Sequence, residues 1–223
     1  MSEGRSLLLL SCSNHKESAG VGGTHDGRSF PEILSPAAQS RILKRRNEIR
    51  GMLRGGPPRL YNEDQRGGYR DERSPNRQLA NGRDFGGCET TAYLPAYKRY
   101  TGRFFDKLAS MAPNFWEELP PSIEIIFVSG LYGLAFWDEA IQDYDCHFAD
   151  YTDDNRPRKV SDLWGSTLSD ALIEFVRIQS RSVPIRAVYD LLSERLYQDL
   201  FAWNRVQGSA IYLSQSFQGD VGS

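Results

Sequence analysis

The residues best suited to chemistry lie in one stretch, "FVSGLYGLAFWDEAIQDYD", Phe127 to Asp145. Two glycines flank Leu131-Tyr132, and Asp138, Glu139, Asp143 and Asp145 follow, with Trp137 and Tyr144 as apolar neighbours. A carboxyl group in a partly apolar loop holds its proton to higher pH than in water. Such a group serves as a general base or stabilises a developing cation. Clustered carboxylates also suit a hard cation such as magnesium, and the plain alternative is a solvated acidic loop. Asp150, Asp153 and Asp154 fit that plain alternative.

Two further stretches carry reactive residue types. "LLLLSCSNHKES" sets Ser11, Cys12, Ser13, Asn14, His15 and Lys16 directly beyond an apolar run. Hydroxyls, an amide and a cation there suit a phosphate or a base edge, although serine and asparagine also end strands for conformational reasons. "YLPAYKRYTGRFF" interleaves Tyr93, Tyr97, Tyr100, Phe104 and Phe105 with Lys98, Arg99 and Arg103. Aromatic faces beside cations stack a base and hold its phosphates, or bury one face of a helix and expose the cations. Other chemistries find no support. The spacing GxxxxGK[ST] is absent, as are HExxH, GxSxG and the zinc-deaminase signature. His15, His25 and His147 have no ligand spacing, so no metal and no cofactor is expected.

Elements that must position these residues emerge from the apolar pattern. Leu7 to Ser13, Ile123 to Val128, Ile185 to Leu191 and Ala210 to Leu213 read as strands. Residues 36–54, with Ile42, Ile49 and Leu53, read as a helix, as do 93–111 with a break near Gly102, Val160 to Ile178 capped by Ser161, and Glu194 to Val206. Strands alternating with amphipathic helices predict an α/β fold with a mostly parallel sheet flanked by helices. Ligands in such sheets sit at the carboxyl ends of the strands, so the loops after Ser13 and Ser129 are the places to look.

The 223 residues are expected to form a single domain, 39% hydrophobic and 25% charged. No apolar run approaches membrane-spanning length, and Leu7 to Leu10 is too short for a signal-peptide core. Three widely spaced cysteines argue against a disulfide framework and for a reducing cytoplasm. The net charge of −2 conceals an asymmetry: residues 41–83 carry 12 Lys/Arg against 5 Asp/Glu, and the remainder is acidic. Together with the glycine- and proline-rich Gly55 to Gly87, this predicts a basic, partly flexible insertion over about 36–87. It is either a solvated surface or a phosphate-binding footprint.

In their order along the chain these segments resemble the YaaA-type superfamily of peroxide-stress proteins. The resemblance rests on the strand ending in Ser11 with Lys16 after it, on "RYTGRFF", on "SGLYGLAFWDEAIQDYD" followed by "LWGSTLSDAL", and on "AVYDLLSERLYQDL". Cys12-Ser13-Asn14-His15 and Phe136-Trp137 depart from the usual pattern and mark a divergent branch. The resemblance implies DNA binding on an α/β body, with kinship to DNA glycosylases of phage defence. Its expected chemistry is hydrolysis of the N-glycosidic bond of a base in DNA, a modified base included. The alternatives are a non-enzymatic DNA-binding stress protein and an N-glycosidase of free nucleosides or nucleotides. In this reading Asp138, with Asp143 behind it, is the carboxylate. Ser11 and Asn14 read the base edge, and Tyr97, Tyr132 or Trp137 stacks on the base. Lys16, Arg99 and the helical cations Lys44, Arg45, Arg46 and Arg50 hold the DNA backbone.

Overall fold

The computed structural model describes residues 4–23, 27–55, 75–151, 158–207 and 211–214. A five-stranded sheet forms its centre, built from β1 (Arg5–Ser11), β4 (Ile123–Ser129), β5 (Gly133–Phe136), β7 (Ile185–Leu191) and β8 (Ile211–Ser214) in the order β5-β4-β1-β7-β8. β4, β1, β7 and β8 run parallel; β5 folds back antiparallel on β4, pairing Ser129 with Gly133 and Ile126 with Phe136. A small antiparallel sheet joins β2 (Val21–Gly23), β3 (Thr91–Pro95) and β6 (Ala140–Ile141). The fold is therefore α/β with a mixed, mostly parallel sheet. Parallel strands covered on both faces need continuous apolar runs, and Ile125 to Val128 are all fully buried.

Three helical expectations change. Tyr93 lies on β3, followed by the single-turn α2 (Ala96–Arg99) and, after Gly102 at φ +102°, by α3 (Arg103–Met111). The aromatic spacing there mimics a helical period, but Pro95 and Gly102 punctuate it. Val160 to Ile178 divides into α4 (Val160–Trp164) and α5 (Thr167–Gln179), because Gly165 enters the left-handed region at φ +48°. Lys159, rather than Ser161, precedes the first turn, and its N–H donates to Asp162 Oδ2 at 3.0 Å. Glu194 to Val206 likewise divides into α6 (Arg195–Gln198) and α7 (Trp203–Gln207). At that break Ser169 Oγ accepts from Ala202 N–H at 2.9 Å and donates to the Leu200 carbonyl at 3.2 Å, which satisfies backbone groups a continuous helix would have paired.

The basic segment is not set apart from the body where it is described. Helix α1 (Pro36–Gly55) turns Ala38, Ile42, Arg46, Ile49 and Leu53 inward, all buried, and Asn76, Leu79, Asp84 and Phe85 beyond it are buried too. Residues 56–74, the middle of the expected insertion, lie outside the described residues. Arg46, fully buried in that stripe, corrects its expected place on DNA. Its guanidinium donates to the Tyr132 carbonyl at 2.9 Å, the Leu134 carbonyl at 2.8 Å, the Asp84 carbonyl at 3.1 Å and Glu139 Oε1 at 3.0 Å. Glu139, equally buried, accepts in addition from the Phe30 and Phe136 N–H groups at 2.8 and 3.2 Å. A buried ion pair is tolerable only when hydrogen bonds satisfy both charges in this way.

Removing one member strands the other charge in the core. Arg46→Ala is expected to lower the unfolding free energy by about 3–5 kcal/mol. Lys44→Ala, on the exposed face of the same helix, is expected to change it by no more than about 0.5 kcal/mol. Urea denaturation of both variants checks this.

Candidate functional site

In the strand order, β1 connects outward to β4 on one side and meets β7 on the other. The crevice at the carboxyl ends of β1 and β7 is thus the switch point of the sheet, where α/β folds bind ligands. A cavity of about 190 Å³ lies there, lined by Ser11, Cys12 and Ser13 after β1, by Thr101 to Phe105, and by Leu191 and Ser193 after β7. Ser193 donates its N–H to Ser11 Oγ at 3.2 Å, closing the two strand ends on each other. Cys12 Sγ stands 3.6 Å from Tyr197 Oη.

The chain leaving β1 then runs beside residues 99–102. Ser13 Oγ donates to the Thr101 carbonyl, Thr101 N–H donates to the His15 carbonyl at 3.0 Å, and Glu17 N–H to the Arg99 carbonyl at 2.8 Å. Gly102 is needed on this ladder: a Cβ there would sit 3.3 Å from Ser13 Oγ, at a positive φ. Beneath the ladder, Tyr144 Oη is within 2.6 Å of Ser129 Oγ and 2.8 Å of Tyr100 Oη. Burial pushes both phenol groups up, so both stay neutral hydrogen-bonding hydroxyls. Lys16 Nζ lies 4.3 Å above the Tyr144 ring.

At the far end of the ladder a second cavity, about 350 Å³, is lined by Ser18, Pro75, Gln78, Thr91, Ala92, Arg99, Gln142 and Asp143. That volume is within the range of small-molecule sites. Arg99 is fully buried, donating to the Glu17, Ala19 and Ile141 carbonyls, while its Nε has no hydrogen-bond partner among the described residues. Asp143 is half-buried. Desolvation raises its carboxyl above the ordinary range, opposed by the positive charges of Arg99 and Lys16. A carboxyl so placed exchanges a proton closer to neutrality than a surface aspartate.

The expected acidic cluster does not form. Asp138 lies past the end of β5, and because β5 is antiparallel to β4 this brings it to the amino-terminal end of β4, away from the crevice. Its Oδ1 accepts from Arg28 Nε at 2.7 Å, and Arg28 also grips Glu124 at 2.8 Å. Glu139 is in the core with Arg46, while Asp143 opens on the second cavity. Among the described residues no group of three or more His, Cys, Asp or Glu gathers to hold a metal ion.

The other expected residues separate similarly. Ser11 and Lys16 are at the crevice, with Asn14 exposed beside them. Tyr132 is fully buried with its hydroxyl on Asp84 Oδ2 at 2.7 Å, which leaves no face for a base. Tyr97 and Trp137 are half-buried and pack with Trp116, Trp137 stacked on it at 5.6 Å, and neither lines the cavity of the crevice serines. The glycines of this loop serve packing: a Cβ on Gly133, at φ +68°, would come within 2.6 Å of Trp164. On α1, Lys44 is exposed, Arg45 pairs with Glu48 at 2.7 Å, and Arg50 donates to Asn47 and the Leu79 carbonyl. The sequence reading missed Ser129, Ser193 and Tyr197. Their signal was present, since Ser129 and Ser193 come after buried strands just as Ser11 does.

A family profile described as peroxide stress protein YaaA matches residues 71–220, about two thirds of the chain. The match takes in the Asp143 cavity's residues from Pro75 onward and leaves out β1 and α1. No curated protein matches the chain. No helix among the described residues is long and apolar enough to cross a membrane.

A carboxyl whose folded-state value is raised costs stability once it ionises, and the cost fades as pH falls toward the unfolded value. Asp143→Asn is therefore expected to melt at or above the wild-type temperature at pH 7. That advantage should shrink on acidification toward the ordinary carboxyl value of 3.8. Thermal melts across this range check it; a variant less stable at pH 7 and recovering in acid would reverse the assignment.

Proposed function

The chain belongs to the peroxide stress protein YaaA family, and from that premise we propose that it binds DNA and hydrolyses the N-glycosidic bond of a base, a modified base in phage DNA included. The observation that carries the reading is Asp143: a half-buried carboxyl with a raised proton affinity, on a cavity shared with a buried guanidinium.

In this reading the target nucleotide leaves the stack and its base enters the Asp143 cavity, since a base inside a duplex is out of reach of any side chain. The C1′–N bond breaks with its electron pair going to the base, and the sugar becomes an oxocarbenium-like cation. Ionised Asp143 stabilises that cation and takes a proton from the attacking water as the C1′–O bond forms. Asp143 then passes that proton to the departing base, so the water's hydroxyl ends on C1′, its proton on the base, and the carboxylate is restored. Hydrogen bonds to backbone carbonyls hold the Arg99 guanidinium in place near the carboxylate, and its positive charge limits how far desolvation lifts Asp143. Asn14 and Ser11, at the cavity between β1 and β7, contact the strand beside the target nucleotide, and Lys16 adds positive charge between the two cavities.

The assay is strand scission by hot alkali at abasic sites, after incubation of the protein with unmodified DNA and with DNAs carrying modified bases. Wild type is expected to cut at one class of base, and Asp143→Asn to be slower by at least about a hundredfold. Asp138→Asn, which loses only the Arg28 contact, is expected to retain most of the activity. Equal loss in both variants would return the role to the fold. No scission on any DNA, with binding that weakens steeply in salt, would leave a non-enzymatic DNA-binding protein.

A further inference from the structure

A single exposed apolar side chain is ordinary; one on the rim of a cavity with cations beside it is placed to meet a ligand. Phe104 is such a residue. It stands in the first turn of α3, 54% exposed, on the rim of the cavity at the carboxyl ends of β1 and β7. Its ring is held edge-on against Phe105 at 5.2 Å between centroids, and Phe105 packs on Tyr100 and Phe127 at 5.9 and 5.8 Å. The exposed ring therefore projects from a fixed base. Arg103 and Lys107 flank it on the same helix, both exposed with Asp106 exposed between them, and neither cation makes an ion pair among the described residues.

Along the ladder, Ser13 at this cavity and Ser18 at the Asp143 cavity are five residues apart. At about 3.4 Å per extended residue the two sites lie within roughly 17 Å of each other, a reach of a few nucleotides along a strand.

We propose that Phe104 is a wedge: its ring inserts between stacked bases of duplex DNA while Arg103 and Lys107 take the flanking phosphates. This rests on the base-excision reading above, and supplies the extraction step that reading requires. Apolar wedges of this kind unstack base steps, and an aromatic ring then replaces part of the lost stacking. Charge decides for nucleic acid over a protein partner. A helix that presents one ring and two unpaired cations at a cavity mouth matches a polyanion with π-faces, whereas burial against protein would leave both cations to be neutralised.

The test uses the full-length protein and a duplex with 2-aminopurine beside the target position, whose fluorescence rises on unstacking. Wild type is expected to raise the signal, Phe104→Trp to keep the rise, and Phe104→Ala to weaken the unstacked complex by about tenfold. Where excision occurs, Phe104→Ala should lose far more rate on duplex than on single strands, whose bases are already accessible. A 2-aminopurine response equal in wild type and Phe104→Ala overturns the wedge and leaves the excision reading standing. A Phe104-dependent response without any abasic sites upholds the wedge and sinks the excision reading. Sedimentation showing a dimer that Phe104→Ala dissociates, with no 2-aminopurine response, overturns the wedge in favour of a second copy of the chain on this face.

Discussion

The ion pair between Arg46 and Glu139, fully buried at the junction of five segments, is the constraint on which the rest of the arrangement depends. Arg46 comes from α1, Glu139 from the stretch between β5 and β6. Between them they hold the Tyr132 carbonyl of the β4–β5 turn, the Leu134 carbonyl of β5, the Asp84 carbonyl, and the backbone at Phe30 and Phe136. Neither charge is tolerable in the core alone, so the segments must assemble in one geometry or not at all. Tyr132, pinned at its carbonyl, sends its hydroxyl to Asp84, whose oxygens also receive Tyr93 and Gln142. Gln142 is the neighbour of Asp143. A network of buried hydrogen bonds thus runs from the core to Gln142, the residue before the carboxyl on the cavity.

Function gains from this rigidity at one end of the sheet. Ser11, Ser129 and Leu191 end three parallel strands; Ser193, just beyond the third, donates its N–H to Ser11, and Ser129 is hydrogen-bonded to Tyr144. The ladder between residues 13–17 and 99–101 then spaces two cavities at a fixed separation. One presents hydroxyls beneath an exposed ring; the other presents a desolvated carboxyl beside a buried guanidinium. Preorganised groups of opposite charge in a partly buried cavity act more strongly on developing charge than the same groups in water.

Much of the fold was readable from apolar pattern. β4, β7 and the extent of α1 fall close to where periodicity puts them, because a strand buried on both faces and a helix with one buried stripe leave distinct signatures. The stripe Ala38, Ile42, Arg46, Ile49, Leu53 even marked Arg46 as inward. Counting it among surface cations relied on composition where spacing held the answer. Asp138 and Asp143 were harder to separate. Five residues apart in an acidic loop they look equivalent, and only the reversal of β5 against β4 sends the first to the amino-terminal end of the strand. Antiparallel return within a mostly parallel sheet depends on Gly133 accepting a positive φ under Trp164, a contact between residues 31 positions apart that no local pattern encodes. The helix breaks at Gly165 and at Ala202 have the same character: one glycine and one side chain from another helix override an otherwise helical period.

Mass spectrometry of the small molecules released from DNA by the wild-type protein tests the central claim most directly, because it identifies the bond that breaks. The account predicts a free base, without sugar or phosphate, appearing in step with abasic sites in the polymer. Release of nucleosides or nucleotides, or of nothing while DNA remains bound, would contradict it.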